Sequence, residues 1–145
     1  MILALDTDVV ISWLMAGSSR HAVVRSAVER ELRRSGGAVA LVPQTLHEVL
    51  HVATDPRRFE RPLPMKEALQ LVRLLWEARD VVRIQPGPQV PLRTLELMER
   101  HHLGRKRILD TALAATLEGA GIRRLATFNG DDFRLFPFID VFEPA

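Results

Sequence analysis

The sequence predicts a single α/β domain on a largely parallel sheet, and three observations predict it. Short apolar runs alternate with longer segments whose apolar positions recur at helical spacing, the pattern of strands joined by crossover helices. The 145 residues suffice for one core and are few for two domains of about 100–200 residues each, so residues 1–145 are expected to form one unit. Apolar residues make up 47% of the chain and charged residues 26%, close to the globular average, which excludes a disordered, collagen-like or coiled-coil chain.

Each element has its own justification. Met1–Leu5 (MILAL) is a continuous apolar run that stops at Asp6, as a buried parallel strand does, and Val9–Leu14 continues as a helical turn or two. From Ala22 to Leu32 the positions Val23, Val24, Ala27, Val28 and Leu32 fall at helical spacing, and Ser35-Gly36-Gly37 ends that helix before a β-like Ala38–Val42. Pro43 and Thr45 open a helix that runs to about Ala53. Asp55-Pro56 closes it, because proline disfavours the helical conformation of its predecessor. Met65–Ala78 is amphipathic, with Ala68, Leu69, Val72, Leu75 and Trp76 on one stripe, and Val81–Ile84 follows as a strand. Pro86, Gly87, Pro88 and Pro91 form a rigid connector to a helix over Leu92–His102. Gly104 interrupts before a helix over Ile108–Leu117, which Gly119 and Gly121 end. Arg124–Thr127 and Ile139–Phe142 are the last strands. Five of the six Phe residues lie from Phe128 onward and are expected to seal that end of the core.

Composition narrows the chemistry. The absence of cysteine removes disulfides, thiolate metal sites and a cysteine nucleophile, and fits a reducing, cytoplasmic setting. The apolar start Met1–Leu5 is far shorter than the ~18 residues of a membrane span, so neither a membrane nor a secretory route is expected. Of 20 basic residues only Lys66 and Lys106 are not Arg, and with no Tyr or Cys to buffer, a pI near 9.9 stands beside a net charge of only +2. The pI is therefore weak evidence for a nucleic-acid partner. The basic residues cluster in two places: Arg57, Arg58 and Arg61, and Arg100, Arg105, Lys106 and Arg107 beside His101 and His102. No Gly-rich phosphate loop and no G-x-S-x-G elbow is present, which removes nucleotide cofactors of those kinds and serine hydrolysis.

What remains is carboxylates at predicted element ends: Asp6 and Asp8 after the first strand, Glu48 on the third helix, Asp110 near a helix start, and Asp131 and Asp132 after a late strand. In parallel α/β folds ligands bind beyond the carboxyl ends of the strands, where Asp6 and Asp8 stand. Like charges repel, so a shared cluster needs a cation, and hard oxygens favour Mg²⁺ or Mn²⁺. Each acid also has a plainer role. Asp6 or Asp8 can cap a helix, Glu48 completes a T-x-x-E capping box with Thr45, Asp110 complements a helix dipole, and Asn129-Gly130-Asp131-Asp132 reads as a polar turn. Two other chemistries compete. His47-Glu48-Val49-Leu50-His51 is a literal H-E-x-x-H, which would bind Zn²⁺ through His47 and His51 with Glu48 as base, as in a zinc metallohydrolase or peptidase. Asp6-Thr7-Asp8 with Val10 resembles the first motif of haloacid-dehalogenase-type phosphohydrolases, in which the first Asp is the nucleophile.

Taken in order, four segments over Ile2 to about Phe142 resemble a PIN-domain ribonuclease of the VapC toxin kind: ILALDTDVVISWL, LVPQTLHEVLHV, ILDTALAATLEGAGIRRLAT and ATFNGDDF. The resemblance implies an α/β/α sandwich on a mostly parallel sheet of about five strands. It implies catalytic roles for Asp6, Glu48, Asp110, Asn129 and Asp132, with Asp6, Asp110 and Glu48 on Mg²⁺ or Mn²⁺ and Thr7 and Thr127 orienting carboxylates or water. The family often has Asn where Asp8 stands and Asp where Asn129 stands. That leaves open which of Asn129 and Asp132 approaches the metal, and leaves Asp8 mainly a capping role. By the same resemblance the activity is endoribonuclease hydrolysis leaving a 5′-phosphate, and the partners are RNA, a cognate antitoxin and a second copy in a homodimer. Arg105, Lys106 and Arg107, just ahead of Asp110, are the expected grip on the RNA backbone. With few aromatics outside the core, shape rather than base stacking is expected to select the RNA. A catalytically inactive binding module of this fold is the remaining alternative.

Overall fold

The computed structural model describes residues 2–34 and 37–144. Five strands, β1 (Ile2–Leu5), β2 (Ala38–Leu41), β3 (Val81–Arg83), β4 (Arg124–Ala126) and β5 (Asp140–Phe142), form one sheet in the order β3-β2-β1-β4-β5, and every pairing is parallel. The helices are α1 (Thr7–Leu14), α2 (His21–Arg34), α3 (Pro43–Ala53), α4 (Met65–Glu77), α5 (Val90–Arg100), α6 (Ile108–Ala120) and α7 (Gly130–Phe133), with a 3-10 turn at Arg105–Arg107. None of the helices among the described residues is long and apolar enough to cross a membrane.

The sandwich follows from strand alternation. Leu3, Leu5, Val39 and Leu41 point to one face and pack with Val9, Val10, Val24, Val28, Val49 and Val72 of α1 to α4. Ala4, Ala40 and Val42 point to the other and pack with Leu97, Leu113, Ala114, Leu117 and Phe133 of α5 to α7. Both faces being covered is why these strands read as continuous apolar runs. A one-residue slip of β1 would turn Leu3 and Leu5 into the layer now filled around Ala4.

Several element ends differ from the sequence expectation for identifiable reasons. Helix α1 begins at Thr7 rather than Val9 because Asp6 is its N-cap, its carboxylate accepting from the Thr7 N–H at 2.9 Å. Helix α5 begins at Val90, so Pro91 lies in its first turn, where its missing N–H costs nothing. Helix α6 runs through Gly119 to Ala120, beyond the expected Leu117, and stops at Gly121, whose φ of 71° lies in the left-handed region that glycine adopts without strain. The polar stretch after Asn129 is a short helix rather than a turn. On α4 the expected stripe holds for Ala68, Val72 and Leu75, which are buried, while Leu69 is exposed. The expected strand start at Met1 and the Ser35-Gly36 part of the helix stop lie outside the described residues.

Candidate active site

The sheet order changes direction beside β1: β2 and β3 lie on one side of it and β4 and β5 on the other. A crevice at the carboxyl ends of the strands opens at such a switch point. Leu5 pairs with Ala126, and the ladder continues one step further, the Asp6 N–H donating to the Ala126 carbonyl at 3.0 Å. Asp6 and Thr127 are thereby set side by side. The Thr127 hydroxyl donates to Asp6 Oδ2 at 2.8 Å while the Thr7 N–H holds Oδ1. The same Thr127 oxygen accepts from the Asn129 N–H at 3.0 Å, so one fully buried side chain orients both the carboxylate and the turn that follows β4.

Asp110 stands in the first turn of α6, and burial pushes its carboxyl up to about 6. The charges of Asp6, Asp132 and Glu48 push the same way and Arg107 opposes them, so four acids converge on one region. Burial likewise raises Asp6. The hydrogen bonds from Thr127 and Thr7 pull it back, and Asp8 and Glu48 add to the rise. Acidic side chains whose charges reach one another, with the ionised forms of Asp6 and Asp110 disfavoured, are what a bound cation relieves. The donor set is hard oxygen, which fits Mg²⁺ or Mn²⁺. Among the described residues no group of three or more His, Cys, Asp or Glu side chains is arranged to hold a metal ion. The fit therefore rests on donor chemistry and charge.

The other expected residues fall out as follows. Glu48 is half-buried on α3 and accepts from Gln44 Nε2 at 3.0 Å. The T-x-x-E capping box does not form. Pro43 starts the helix and Val42 is its N-cap, which leaves Thr45 inside the first turn and buried. Asp132 is held by Arg107, Nη2 to Oδ1 at 3.1 Å, with Arg107 Nη1 also donating to the Asp132 carbonyl at 3.2 Å. Asp132 is thus the acid whose charge reaches Asp110, while Asn129 is exposed and contributes its backbone N–H to Thr127. Arg107 is engaged with Asp132, and the exposed basic side chains of that turn are Arg105 and Lys106. Asp8 does not cap α1. It sits in the first turn and pairs with Arg58 at 3.2 Å. His47 and His51 are exposed on α3, and no third potential ligand joins them among the described residues.

Thr127 gives a direct test of this arrangement. Thr127→Val removes the hydroxyl but keeps the shape, leaving Asp6 Oδ2 without its partner. The expected loss is about 1–3 kcal/mol by urea denaturation, with Thr127→Ser restoring most of it. Equal stability of all three proteins would show that the hydrogen bond does not hold Asp6.

Fold and site together define an α/β/α sandwich with an acidic centre at the switch point of its parallel sheet. The chain belongs to the PIN domain family, whose model matches residues 3–139. Among solved structures, the toxin VapC20 of Mycobacterium tuberculosis, described as cleaving the sarcin-ricin loop, superposes with a TM-score of 0.71 at 16% identity, over 92% of this chain and 95% of its own. VapBC-1 from nontypeable Haemophilus influenzae gives 0.68 at 16% identity, over 99% of this chain and 98% of that one. VapBC2 from Rickettsia felis, bound to a DNA fragment from their promoter, gives 0.67 at 15% identity, over 99% and 98%. At these identities the likeness is one of fold. No curated protein sequence matches the chain.

Proposed function

We propose that this PIN-domain protein is a metal-dependent endoribonuclease, the toxin of a VapBC-type pair, restrained by a cognate antitoxin. The observation that carries the reading is the convergence of Asp6, Asp110, Glu48 and Asp132 at the switch point, with Asp6 clamped by Thr7 and Thr127. The three structural neighbours described above carry toxin or VapBC names, which supports the toxin reading and the antitoxin partner.

In this reading Asp6 and Asp110 are the primary ligands of Mg²⁺ or Mn²⁺, and Glu48 positions water or a second ion. Asp132, steadied by Arg107, completes the acidic set in place of Asn129. The chemistry a divalent cation supplies when bound is screening of the phosphodiester's negative charge and a more acidic water. The chain's own contribution is preorganisation. Asp6 is fixed through both oxygens before substrate arrives, so little reorganisation is needed when charge develops on the phosphoryl oxygens. Attack by water opposite the leaving 3′-oxygen leaves a 5′-phosphate and a 3′-hydroxyl, without use of the ribose 2′-hydroxyl.

The test is incubation of total RNA with the protein in Mg²⁺, in Mn²⁺ and in EDTA, with the fragment ends mapped. Metal-dependent cuts bearing 5′-phosphates are expected. Failure of folded protein to cut any RNA, together with Zn²⁺ binding that needs His47 and His51, would put the H-E-x-x-H chemistry in its place. For the RNA grip, Arg105→Ala/Lys106→Ala is expected to reduce the salt dependence of single-stranded RNA binding by roughly 0.7 per charge removed, with the metal requirement unchanged. An unaltered salt slope would take these two residues out of the interface.

A further inference from the structure

Next to the acidic centre lies a cavity of about 260 Å³ that the proposed hydrolysis does not use, between α1, the turn after it and the loop from α3 to α4. Its lining carries two guanidinium groups, Arg20 and Arg58, one carboxylate, Asp8, and the rings of Phe59 and Phe128. Arg58 pairs through Nη2 with Asp8, and about half of each side chain stays exposed. Arg20 lays its guanidinium over the Phe128 ring, 4.1 Å from the ring centre. Ser12 and Ser18 supply hydroxyls, the Ser18 Oγ–H donating to Ser12 Oγ at 3.1 Å. Two of its lining residues are chain neighbours of the clamp on Asp6: Asp8 follows Asp6 by two residues, and Phe128 follows the Thr127 that holds Asp6. A second cavity, of about 360 Å³, shares Arg20 and Phe128 as its wall and leads towards Glu143.

We infer that the first cavity is a nucleotide subsite, taking one unpaired nucleotide that flanks the scissile phosphate, its phosphate on Arg58 and its base stacked on the outer side of the Arg20 guanidinium that Phe128 backs. The inference rests on the ribonuclease reading and adds which part of the RNA the chain reads. Guanidinium forks match phosphate oxygens, and a guanidinium seated on an aromatic ring offers its outer face to any base. A cavity of about 260 Å³ is on the scale of one nucleotide rather than of a duplex. An acidic peptide would satisfy the two arginines but has no use for the flat platform. The sequence, with Arg20, Arg58 and Phe128 far apart and Phe128 grouped with core phenylalanines, pointed to selection by shape alone. The fold makes the stacking surface by bringing them together.

The experiment measures binding of short labelled single-stranded RNAs in EDTA, then their cleavage in Mg²⁺, for wild type, Arg20→Lys, Phe128→Leu and Arg58→Met. Melting temperatures establish that each variant is folded. Arg20→Lys keeps the charge and loses the plane, so it is expected to leave the salt slope unchanged while kcat/KM falls roughly 5- to 100-fold, mainly through KM, with the preference for the flanking base flattened. Phe128→Leu should do the same, and Arg58→Met should lower the salt slope by roughly 0.7. An RNA made abasic at the flanking nucleotide needs no mutation, and should bind wild type and Arg20→Lys equally. Wild-type cleavage with unchanged affinity and base preference in every variant overturns the subsite alone. Absence of any RNA binding or cleavage by wild type overturns the ribonuclease reading and the subsite with it. Loss of polyglutamate binding in Arg20→Lys and Arg58→Met, with RNA binding intact, replaces the nucleotide with an acidic peptide.

Discussion

Asp6→Asn is expected to lower kcat/KM for metal-dependent RNA cleavage by at least about 10³-fold while leaving the protein folded. Asn keeps the shape and can still accept from the Thr7 N–H, so the cap of α1 and the β1–β4 junction survive. What it loses is the negative charge that holds a cation against a substrate that is itself anionic, worth several kcal/mol in the transition state, and each 1.36 kcal/mol is tenfold in rate. The measurement is single-turnover cleavage of one mapped RNA across a Mn²⁺ titration. If Asp6→Asn cleaves within tenfold of wild type at saturating Mn²⁺, Asp6 is not a primary ligand and the acidic centre needs another reading.

The second large effect is two-sided. Asp110→Asn is expected to abolish cleavage and, at neutral pH without metal, to raise the melting temperature by a few degrees. The carboxyl of Asp110 sits at about 6 in the folded chain against an ordinary value of 3.8. The native state therefore binds the proton more tightly than the unfolded state does. Between those two values stability falls as pH rises, because the folded chain has to give up a proton that the unfolded chain has already released. The penalty is absent below about pH 4 and complete above about pH 6, so the advantage of Asn over Asp should grow across that window and then level off. Thermal melts from pH 4 to pH 8 check it. Adding Mg²⁺ or Mn²⁺ should close the gap from the wild-type side, since a ligand of the native state alone raises stability by mass action. Melting curves of the two proteins that stay parallel at every pH, with no response to metal, would show that Asp110 is an ordinary surface acid.

Much of this could be read without coordinates, and particular residues show where reading stopped. The apolar runs of β1, β2 and β4 announced a sheet covered on both faces, and the acids at their ends announced a site at its carboxyl edge. Helix starts were legible only when the right cap was chosen. Asp6 and Asp8 are both good N-cap types, and the choice depended on the β1–β4 ladder, which carries Asp6 one step past the strand. Pro43 moved the start of α3 two residues ahead of Thr45 and thereby dissolved the capping box around Glu48. Asp132 and Asn129 could not be ranked, because side-chain direction in a four-residue helix is set by tertiary partners, here Arg107. The same contact took Arg107 out of a basic run that looked uniform along the chain. The Arg20–Phe128 stack has no local signature at all.

The hydrogen bond from Thr127 to Asp6 joins residues 121 apart. The two halves of the clamp on Asp6 are thus far apart in the chain, and a contact between residues so distant forms only after the intervening segments have collapsed. Until β1 and β4 have paired, the only one of these partners within reach of the Asp6 carboxylate is the N–H of its neighbour Thr7. The site is therefore as stable as one strand junction, and an opening that parts β1 from β4 unmakes it even where the helices stay folded.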